Sequence, residues 1–417
     1  MRNFLEKIEV SEYNKRISIN DLSEKIKETK EKPTLFKVDE FKFPIIAGLI
    51  NDREKIAQAL GTQKENIINY ILKKLENIQE YSTEKSAGFL DNEYNVNANT
   101  DLDRLLPLID FYAGKKYTTS SIVITRFPGE DRQNASFHRM MYLEKNKLAI
   151  RVVAQRHLDT AYVDAMDNNK DLGVAIIFGV HPTIELASAF SAPLLDELEL
   201  AAAFLEKLKV YKLSNGISVP IDSEFVMLGR ITSSLADEGP FIDLTGTADR
   251  IRKQPILKID KLYHRNEPIF RTLLPGGLEH RMLMGIPQEP RIFKGVYNTI
   301  STVKNVVLTP GGCCWLHAIV QIKKRTEGDP SNAILATLAA HPSLKRVIVV
   351  DEDIDITNSN DVEWALATRF QPDKDLIQIP KSKGSSLDPS SDNSITCKYG
   401  LDATKPLNNY TEFEKVD

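Results

Sequence analysis

The sequence predicts a mixed α/β (α+β) protein with three regions that differ in their patterns. The first is charged and helical, the second consists of short β-like segments, and the third alternates strands with helices. With 417 residues, 42% of them hydrophobic and 27% charged, the chain can bury the cores of two or three domains. We expect an N-terminal α/β domain at 1–110, a central barrel-like domain at 111–292 and a C-terminal α/β domain at 293–417.

Helical spacing marks the first region. Between residues 54 and 78 the apolar side chains recur every three or four positions, which is typical of amphipathic helices. These side chains are Ile56, Leu60, Ile67, Ile68, Ile71, Leu72, Leu75 and Ile78.

Short apolar runs bounded by Gly, Pro, Asn and Asp predict strands in the second region. The runs are SSIVITRF, KLAIRVVAQ, GVAIIFGV and SEFVMLGRI. One helix interrupts them in SAPLLDELELAAAFLEKLK, with apolar positions at Leu194, Leu195, Leu198 and Phe204. Several strands around a single helix indicate a barrel-like sheet.

Strands and helices alternate in the third region, which predicts a parallel α/β layer. The predicted strands are KNVVLTP, KRVIVVDEDID and DLIQIP, and the predicted helices are SNAILATLAAHP and DVEWALATRF. The segment SKGSSLDPSSDNSITC is expected to be a polar loop.

Charge and cysteine content exclude several classes of protein. The net charge is −4, without the basic stripe of a nucleic-acid binder or a polybasic membrane segment. Three cysteines without CxxC spacing predict neither a disulfide framework nor a thiolate zinc site. No apolar run reaches the roughly 20 residues of a membrane-spanning helix, so we expect a cytoplasmic protein. The common phosphate-loop, HExxH and GxSxG motifs are missing.

Three polar residues could form a metal site. Asn134, His157 and Glu224 would offer oxygen and nitrogen ligands, which suit Mn²⁺ or Mg²⁺. Spacing in the sequence does not show that they converge, and a structural histidine and a solvated glutamate remain the alternatives.

Arg139 follows a predicted strand and carries a planar fork of donors that matches a carboxylate or a phosphate. The loop EGPFID places Glu238 and Asp243 on either side of a Gly-Pro turn. The alternatives are a surface ion pair for the arginine and a solvated loop for the two acids. The acids of VIVVDEDID follow another predicted strand, where α/β folds bind ligands. Cys314 and His317 lack an evident orienting partner, so we do not expect a catalytic pair there.

Eight segments, taken in order, resemble the UbiD family of decarboxylases. They are NASFHR, RVVAQRH, PIDSEFVMLG, EGPFIDLTG, LPGGLEH, HPSLKRVIVVDEDID, WALATRF and GLDATK, and they cover about residues 100–405. The resemblance implies an N-terminal α/β domain, a central split β-barrel that binds prenylated FMN and a C-terminal α/β domain. It also implies Mn²⁺ or Mg²⁺, with K⁺ as a further ion, a homo-oligomer (dimer or hexamer) and a flavin prenyltransferase that supplies the cofactor.

Residue by residue, the resemblance implies three groups of sites. The metal ligands fall on Asn134, His157 and Glu224, and the catalytic residues on Arg139, Glu238 and Asp243. The cofactor-binding positions fall on Phe137, His138, Arg139, Arg151, Val152, Val153, Arg156, His157 and Glu224. Asp243 would protonate the carbon that has lost CO2, with Arg139 and Glu238 holding it in place.

The length of the chain resembles the compact archaeal branch of the family. For that branch the resemblance implies decarboxylation of trans-anhydromevalonate 5-phosphate to isopentenyl phosphate, in an archaeal-type mevalonate pathway. A 4-hydroxybenzoate-type or other aromatic acid is the alternative substrate, and a non-decarboxylating FMN-binding protein is the alternative of another class. A phosphorylated substrate would need cationic groups, for which Arg132, Arg156 and Lys405 are candidates.

Overall fold

The computed structural model describes residues 1–192, 195–408 and 410–415. Within these residues the α-helices are α1 (Arg2–Leu5), α2 (Leu22–Glu28), α3 (Arg53–Leu60), α4 (Ile67–Leu75), α5 (His157–Asp167), α6 (Pro182–Ser188), α7 (Glu197–Leu205), α8 (Leu278–Gly285), α9 (Gln288–Tyr297), α10 (Asp329–Ala340) and α11 (Ser359–Arg369).

The strands up to residue 220 are β1 (Ser11–Ile17), β2 (Thr34–Val38), β3 (Ile45–Ala47), β4 (Ser82–Glu84), β5 (Asn92–Asn95), β6 (Ile109–Tyr112), β7 (Lys115–Thr118), β8 (Ile122–Arg126), β9 (Gln133–Phe137), β10 (Met140–Glu144), β11 (Lys147–Ile150), β12 (Leu172–Phe178), β13 (Lys209–Lys212) and β14 (Ser218–Pro220). The later strands are β15 (Phe225–Glu238), β16 (Phe241–Ile242), β17 (Ala248–Asp249), β18 (Arg252–His264), β19 (Phe270–Arg271), β20 (Val303–Leu308), β21 (His317–Ile322), β22 (Arg346–Asp351), β23 (Leu376–Lys383) and β24 (Ile395–Ala403).

The described residues form two compact units. One comprises residues 1–64 and 73–280, and the other comprises residues 65–72 and the described residues from 281 onward. The predicted mixed α/β class is confirmed, and the division into three domains stays a prediction. No helix within the described part of the chain has the length and apolar character needed to cross a membrane.

A ten-stranded antiparallel sheet is the centre of the first unit. Its order is β6-β7-β10-β11-β18-β15-β12-β8-β9, with β5 added on β18. One buried apolar cluster packs side chains of this sheet, such as Val123, Ile176 and Leu257, with Leu22 and Phe36 from the N-terminal segment. The sheet is therefore part of a core that includes the first forty residues.

Two residues connect β9, at one end of this sheet, to β10, the third strand from the other end. β9 pairs with β8, whereas β10 pairs with β7 and β11, and His138 and Arg139 stand between β9 and β10. The amide of His138 donates to the carbonyl of Ser121 (3.1 Å), and the amide of Arg151 donates to the carbonyl of Arg139 (3.1 Å). Pairing thus continues through residues 133–144, which closes the sheet in the barrel-like way that the sequence predicts.

Several predicted elements of the first unit have different bounds. The apolar pattern of residues 54–78 forms two helices, because Gly61 ends α3 with a φ of 69° that favours glycine. The strand predicted in KLAIRVVAQ ends at Ile150. The backbone stops pairing with the neighbouring strand at Val152, because the amide of Val152 donates to the side chain of Gln254 (2.7 Å). The helix predicted after Ser191 begins at Glu197, and Leu194 lies outside the described residues.

The second unit contains the predicted α/β layer, but the layer is not wholly parallel, because β20 and β23 pair antiparallel with their neighbours. Its sheet has the order β20-β21-β22-β24-β23, in which β21, β22 and β24 are parallel. Strands are confirmed in KNVVLTP, KRVIVVDEDID and DLIQIP, and helices in SNAILATLAAHP and DVEWALATRF. Buried Val307, Ile348, Val350 and Val362 belong to its apolar core.

A fully buried ion triad stabilises the first unit. Arg271 donates to Glu185 (Nε to Oε1, 3.0 Å) and to Glu279 (Nη1 to Oε2, 3.1 Å), and the side chains of all three are at most 1% exposed. Burial favours the neutral guanidine, but the two carboxylates outweigh it and raise the pKa of Arg271. Each buried charge of the triad is therefore stabilised by the opposite charges next to it.

We expect Arg271→Met to lower the free energy of unfolding by about 3–5 kcal/mol, because two carboxylates would stay buried without their cation. Urea denaturation of the variant and of the wild type would measure this loss of stability. The control is Lys147→Met, which removes an exposed pair with Glu144 and should cost less than about 1 kcal/mol. Equal losses in the two variants would contradict the role given to the triad.

Candidate active site

Arg139 is the centre of a cluster of charges on the barrel. Its Nε and Nη2 donate to the two carboxylate oxygens of Glu238 (2.9 and 3.0 Å), and its Nη1 donates to Asp243 (3.1 Å). Nη2 also donates to Asp249 (3.0 Å). The guanidinium is 10% exposed, and together the carboxylates raise the pKa of Arg139 although burial opposes them. The structure thus brings together all three residues that were predicted to be catalytic.

The segment of residues 239–249 carries two of these carboxylates, Asp243 and Asp249, to the arginine. Glu238 is the last residue of β15, and Asp243 and Asp249 lie on the short β16–β17 hairpin. Asp243 Oδ1 accepts from the amide of Leu244 (2.7 Å), which leaves Oδ2 for Arg139. The Asp243 side chain is 22% exposed, whereas that of Glu238 is fully buried. Asp243 is therefore better placed to meet a ligand.

Tyr117 and Asp249 were missed by the sequence analysis. The hydroxyl of Tyr117 donates to Glu238 Oε1 (2.9 Å), and burial with the nearby carboxylate raises the pKa of this tyrosine. Burial alone would raise the pKa of Asp249, but hydrogen bonds from Arg252 and Arg139 lower it. Asp249 stands opposite Phe241 in the hairpin, a pairing that the sequence pattern does not reveal.

His138 orients the backbone next to Arg139. One ring nitrogen lies 3.0 Å from the hydroxyl of Ser136, and the other lies 2.8 Å from the carbonyl oxygen of Arg151. Burial lowers the pKa of His138 to about 4, so the ring is neutral near pH 7. This side chain joins β9 to the segment that follows β11.

A second polar cluster lies at the other end of β9. Glu197 Oε2 accepts from the amide of Ala135 (2.9 Å), and Glu197 Oε1 lies 3.7 Å from Nδ1 of His157. Asn134 is buried, and its amide nitrogen donates to Ser136 (2.9 Å). Burial raises the pKa of Glu197 although His157 opposes it. A carboxylate and an imidazole thus lie close together beside β9, and Asn134 lies on that strand.

Local sequence explains why Glu197 points to β9. Asp196 caps α7 by accepting from the amide of Leu198 (2.9 Å), and its other oxygen accepts from the amide of Gln133 (3.0 Å). Asp196 and Glu197 therefore hold two amides, those of residues 133 and 135, on the free edge of β9. Two adjacent acids at the start of a helix are the signal in the sequence that could have identified Glu197.

The structure does not bring Glu224 to Asn134 and His157. Both carboxylate oxygens of Glu224 accept from Arg2 (2.7 and 2.9 Å), and the amide of Ile269 also donates to it (3.0 Å). The side chain is fully buried next to β15. Its predicted place as a metal and cofactor ligand is corrected, because its oxygens are already occupied by an ion pair with the N-terminal segment.

The other predicted cofactor-binding residues lie near the two clusters. Phe137 ends β9, and Arg151, Val152 and Val153 follow β11 directly. Val153 is an exposed apolar side chain at 43%, and Arg156 is the exposed residue before α5. Their contacts with a cofactor stay a prediction.

The acids after β22 are paired within the second unit. Arg369 donates to Asp351 (3.3 Å) and to Asp353 (2.7 Å), and Lys405 Nζ also donates to Asp353 (3.0 Å). These acids are thus ion-paired, and a ligand site at this strand end stays a prediction. Within the described residues, no three His, Cys, Asp or Glu side chains are grouped as a metal site.

Comparison with known proteins gives the family. The UbiD model, described as 3-octaprenyl-4-hydroxybenzoate carboxy-lyase Rift-related domain, matches residues 82–278, and the model of the C-terminal domain of the same carboxy-lyase matches residues 281–403. The chain is 49% identical to an anhydromevalonate phosphate decarboxylase of Methanocaldococcus jannaschii over 87% of this chain and 86% of that one. It is 41% identical to the protein of the same name from Methanothermobacter thermautotrophicus, over 100% and 99% of the two chains.

A solved structure agrees with this result. The UbiD-class enzyme HmfF from Pelotomaculum thermopropionicum, in complex with FMN, superposes with a TM-score of 0.96 at 32% identity, over 100% of this chain and 96% of that one. An evolved dimeric form of the same enzyme, in complex with prFMN, gives a TM-score of 0.92 at 31% identity, with 100% and 96% covered. The chain therefore belongs to the UbiD family of decarboxylases.

Proposed function

We propose that this enzyme uses prenylated FMN and a divalent metal ion, Mn²⁺ or Mg²⁺, to convert trans-anhydromevalonate 5-phosphate to isopentenyl phosphate and CO2. The archaeal relatives that carry the name of this activity support the substrate, and the flavin-bound solved structures support the cofactor. The geometric observation that carries the proposal is Arg139 held by Glu238 and Asp243 on one wall of the barrel.

Prenylated FMN, when bound, supplies the electron sink that decarboxylation needs. The side chains of this protein would bind the substrate and deliver the proton. Arg139 is fixed by Glu238, Asp243 and Asp249, and the one N–H of Nη1 that these contacts do not use can donate to the carboxylate of the substrate. The partly exposed Asp243 holds the proton that the product carbon receives after CO2 has left. Two further residues position these side chains. The hydroxyl of Tyr117 donates to Glu238, and Asp249 accepts from Arg139.

The cluster of Asn134, His157 and Glu197 fits a hard or borderline divalent ion. No hydrogen bond to the amide oxygen of Asn134 is found among the described residues, and the buried Glu197 has one oxygen directed to His157. Oxygen and imidazole ligands match Mn²⁺ or Mg²⁺, which would anchor the flavin phosphate. Glu197 thus replaces Glu224 in the predicted ligand set. The K⁺ ion, the homo-oligomer and supply of the cofactor by a flavin prenyltransferase stay predictions.

Glu197→Gln is expected to lower the affinity for Mn²⁺ by on the order of 100-fold, because a neutral amide replaces the carboxylate ligand. Glu224→Gln is the matched comparison and should keep normal metal content, since its partners are Arg2 and Ile269. Elemental analysis of the purified variants, followed by Mn²⁺ titration, measures both. Metal loss in Glu224→Gln alone would restore the original prediction.

The experiment that tests the proposed function is anaerobic purification after co-expression with a flavin prenyltransferase. Mass spectrometry of the released cofactor should show prenylated FMN, and the loaded enzyme should release CO2 from trans-anhydromevalonate 5-phosphate. The same assay with 4-hydroxybenzoate tests the aromatic alternative. Plain FMN with no CO2 release from either acid, despite full metal content, would favour a non-decarboxylating flavin protein and contradict the proposal.

A further inference from the structure

A tight turn connects β8 to β9 and begins at Phe127. The amide of Glu130 donates to the carbonyl of Phe127 (3.2 Å), and Pro128 and Gly129 are the two residues between them. Proline followed by glycine is typical of a type II turn, and Gly129 has the positive φ that such a turn needs, 71°. The amide of Phe127 also donates to the carbonyl of Arg132 (3.0 Å). Local sequence thus fixes the backbone that carries the Phe127 side chain.

The ring of Phe127 packs against His157, one of the residues proposed to bind the metal ion. The two rings meet edge to face, with centroids 5.2 Å apart and planes at 70°, and Phe127 is buried. In contrast, Nδ1 of His157 lies 3.7 Å from Glu197 Oε1, which is too long for a hydrogen bond. The aromatic contact therefore restrains the imidazole where the carboxylate does not.

Arg132 contacts both this aromatic ring and the segment that carries Glu197. Its Cζ atom lies 3.7 Å from the centroid of the Phe127 ring, a position in which the ring attracts a cation. Its Nη1 donates to the carbonyl of Leu195 (3.4 Å), two residues before Glu197. One guanidinium thus connects the ring that restrains the imidazole to the chain that carries the carboxylate.

The two metal-binding candidates begin different helices. His157 is the first residue of α5, and Glu197 is the first residue of α7. The end of the β8–β9 hairpin contacts both places, through Phe127 at the first and through Arg132 just before the second. This hairpin is therefore placed to set the distance between the imidazole and the carboxylate.

We propose that Phe127 and Arg132 are positioning residues for the metal ion, and that they hold His157 and Glu197 at the separation that the ion needs. The inference rests on the proposed function for the identity of the metal cluster. It goes further because it assigns metal affinity to two residues outside that cluster. Groups that orient a metal-binding histidine typically contribute about 10–100-fold to metal affinity. Here an aromatic ring restrains the imidazole by packing.

The other contact of Arg132 agrees with this role. The sequence analysis suggested Arg132 as a cation for a phosphorylated substrate. Its Nε donates to Glu130 (2.9 Å), and its side chain is 18% exposed. The guanidinium is thus already engaged by a carboxylate and by the Phe127 ring, which favours a positioning role over the binding of an anion.

Mn²⁺ titration of the whole chain, purified without metal, tests the inference without turnover. We expect Phe127→Leu to weaken Mn²⁺ binding by about 10–100-fold, because leucine fills much of the space but offers the imidazole no ring. Arg132→Gln should act in the same direction, and Phe127→Tyr, which keeps the ring, should bind Mn²⁺ as the wild type does. The electron paramagnetic resonance spectrum of bound Mn²⁺ should change in Phe127→Leu, since it reports the arrangement of the ligands.

Phe4→Leu is the matched control. Phe4 also packs edge to face on a histidine, His181, with ring centroids 5.7 Å apart and planes at 74°. It is buried as well, so thermal unfolding should show a comparable loss of stability in Phe4→Leu and in Phe127→Leu. Only Phe127→Leu should lose affinity for Mn²⁺.

The outcomes are distinct. Unchanged Mn²⁺ affinity in both Phe127→Leu and Arg132→Gln overturns the inference, as does an equal loss of affinity in Phe127→Leu and Phe4→Leu. A wild type whose Mn²⁺ affinity does not depend on Glu197 places the metal elsewhere and also overturns it. Failure of the proposed function is seen separately, as absent CO2 release by a wild-type enzyme that binds Mn²⁺ more tightly than its Phe127→Leu variant.

Discussion

Asp243→Asn is expected to reduce turnover by about 10²–10⁴-fold while the flavin stays bound. An asparagine keeps the size of the side chain, and its one amide oxygen can accept either from Arg139 or from the amide of Leu244, which bind different oxygens of Asp243. It cannot carry the proton that the product needs. In a single-turnover assay the variant should release at most one CO2 per site, and its flavin absorbance should match that of the wild type.

Asp237→Asn is the control for this experiment. Asp237 lies on the same strand, one position before Glu238, and is an exposed residue paired with Lys253. Its variant should turn over normally. Multiple turnovers by Asp243→Asn at more than about a tenth of the wild-type rate would exclude Asp243 as the proton donor.

Arg139→Lys is expected to lower kcat/KM by about 10²-fold or more, although the charge is kept. A lysine ammonium cannot donate in parallel to both oxygens of Glu238 and at the same time reach Asp243 and Asp249. The acids would separate, and the substrate carboxylate would lose a donor that is fixed in position. Steady-state kinetics, combined with flavin absorbance, would measure the effect.

Arg230→Lys is the matched control, because Arg230 on β15 also contacts two carboxylates, Asp171 and Asp260. Its side chain is 43% exposed, so the substitution should cost at most about 1 kcal/mol of stability and leave the kinetics unchanged. Similar kinetic losses in the two variants would show that the network around Arg139 is only structural.

Sequence reasoning predicted the acid cluster but only part of the proposed metal cluster. Motif resemblance placed Arg139, Glu238 and Asp243 correctly beside one another, because these residues lie in short segments with distinctive neighbours. Glu197 lies at the start of a helix, and only the folded chain brings it to β9. Glu224 sits in an equally suggestive segment, but its ion pair with Arg2 joins positions 222 residues apart, which no local pattern predicts.

The ends of the strands and helices show the same limit of prediction from local sequence. Apolar periodicity predicted β12 and the alternating strands and helices of the second unit, since burial of one face produces that pattern directly. It failed after residue 150, because the amide of Val152 donates to the side-chain oxygen of Gln254 and not to a neighbouring strand. Side-chain competition for backbone donors is a tertiary effect, so the strand looked longer in sequence than it is in the structure.

The closure of the barrel through residues 133–144 bears on how such an enzyme could acquire new substrates. Backbone hydrogen bonds hold this segment on β8 and on β11. An insertion or deletion within it would therefore displace Arg139 and would also disrupt the pairing of these strands. The residues directly after Ile150 are held as well, since the amide of Arg151 donates to the carbonyl of Arg139 and the amide of Val152 donates to the side chain of Gln254. Changes in chain length during divergence toward other acids are therefore expected outside residues 133–144 and outside the strands that pair with them.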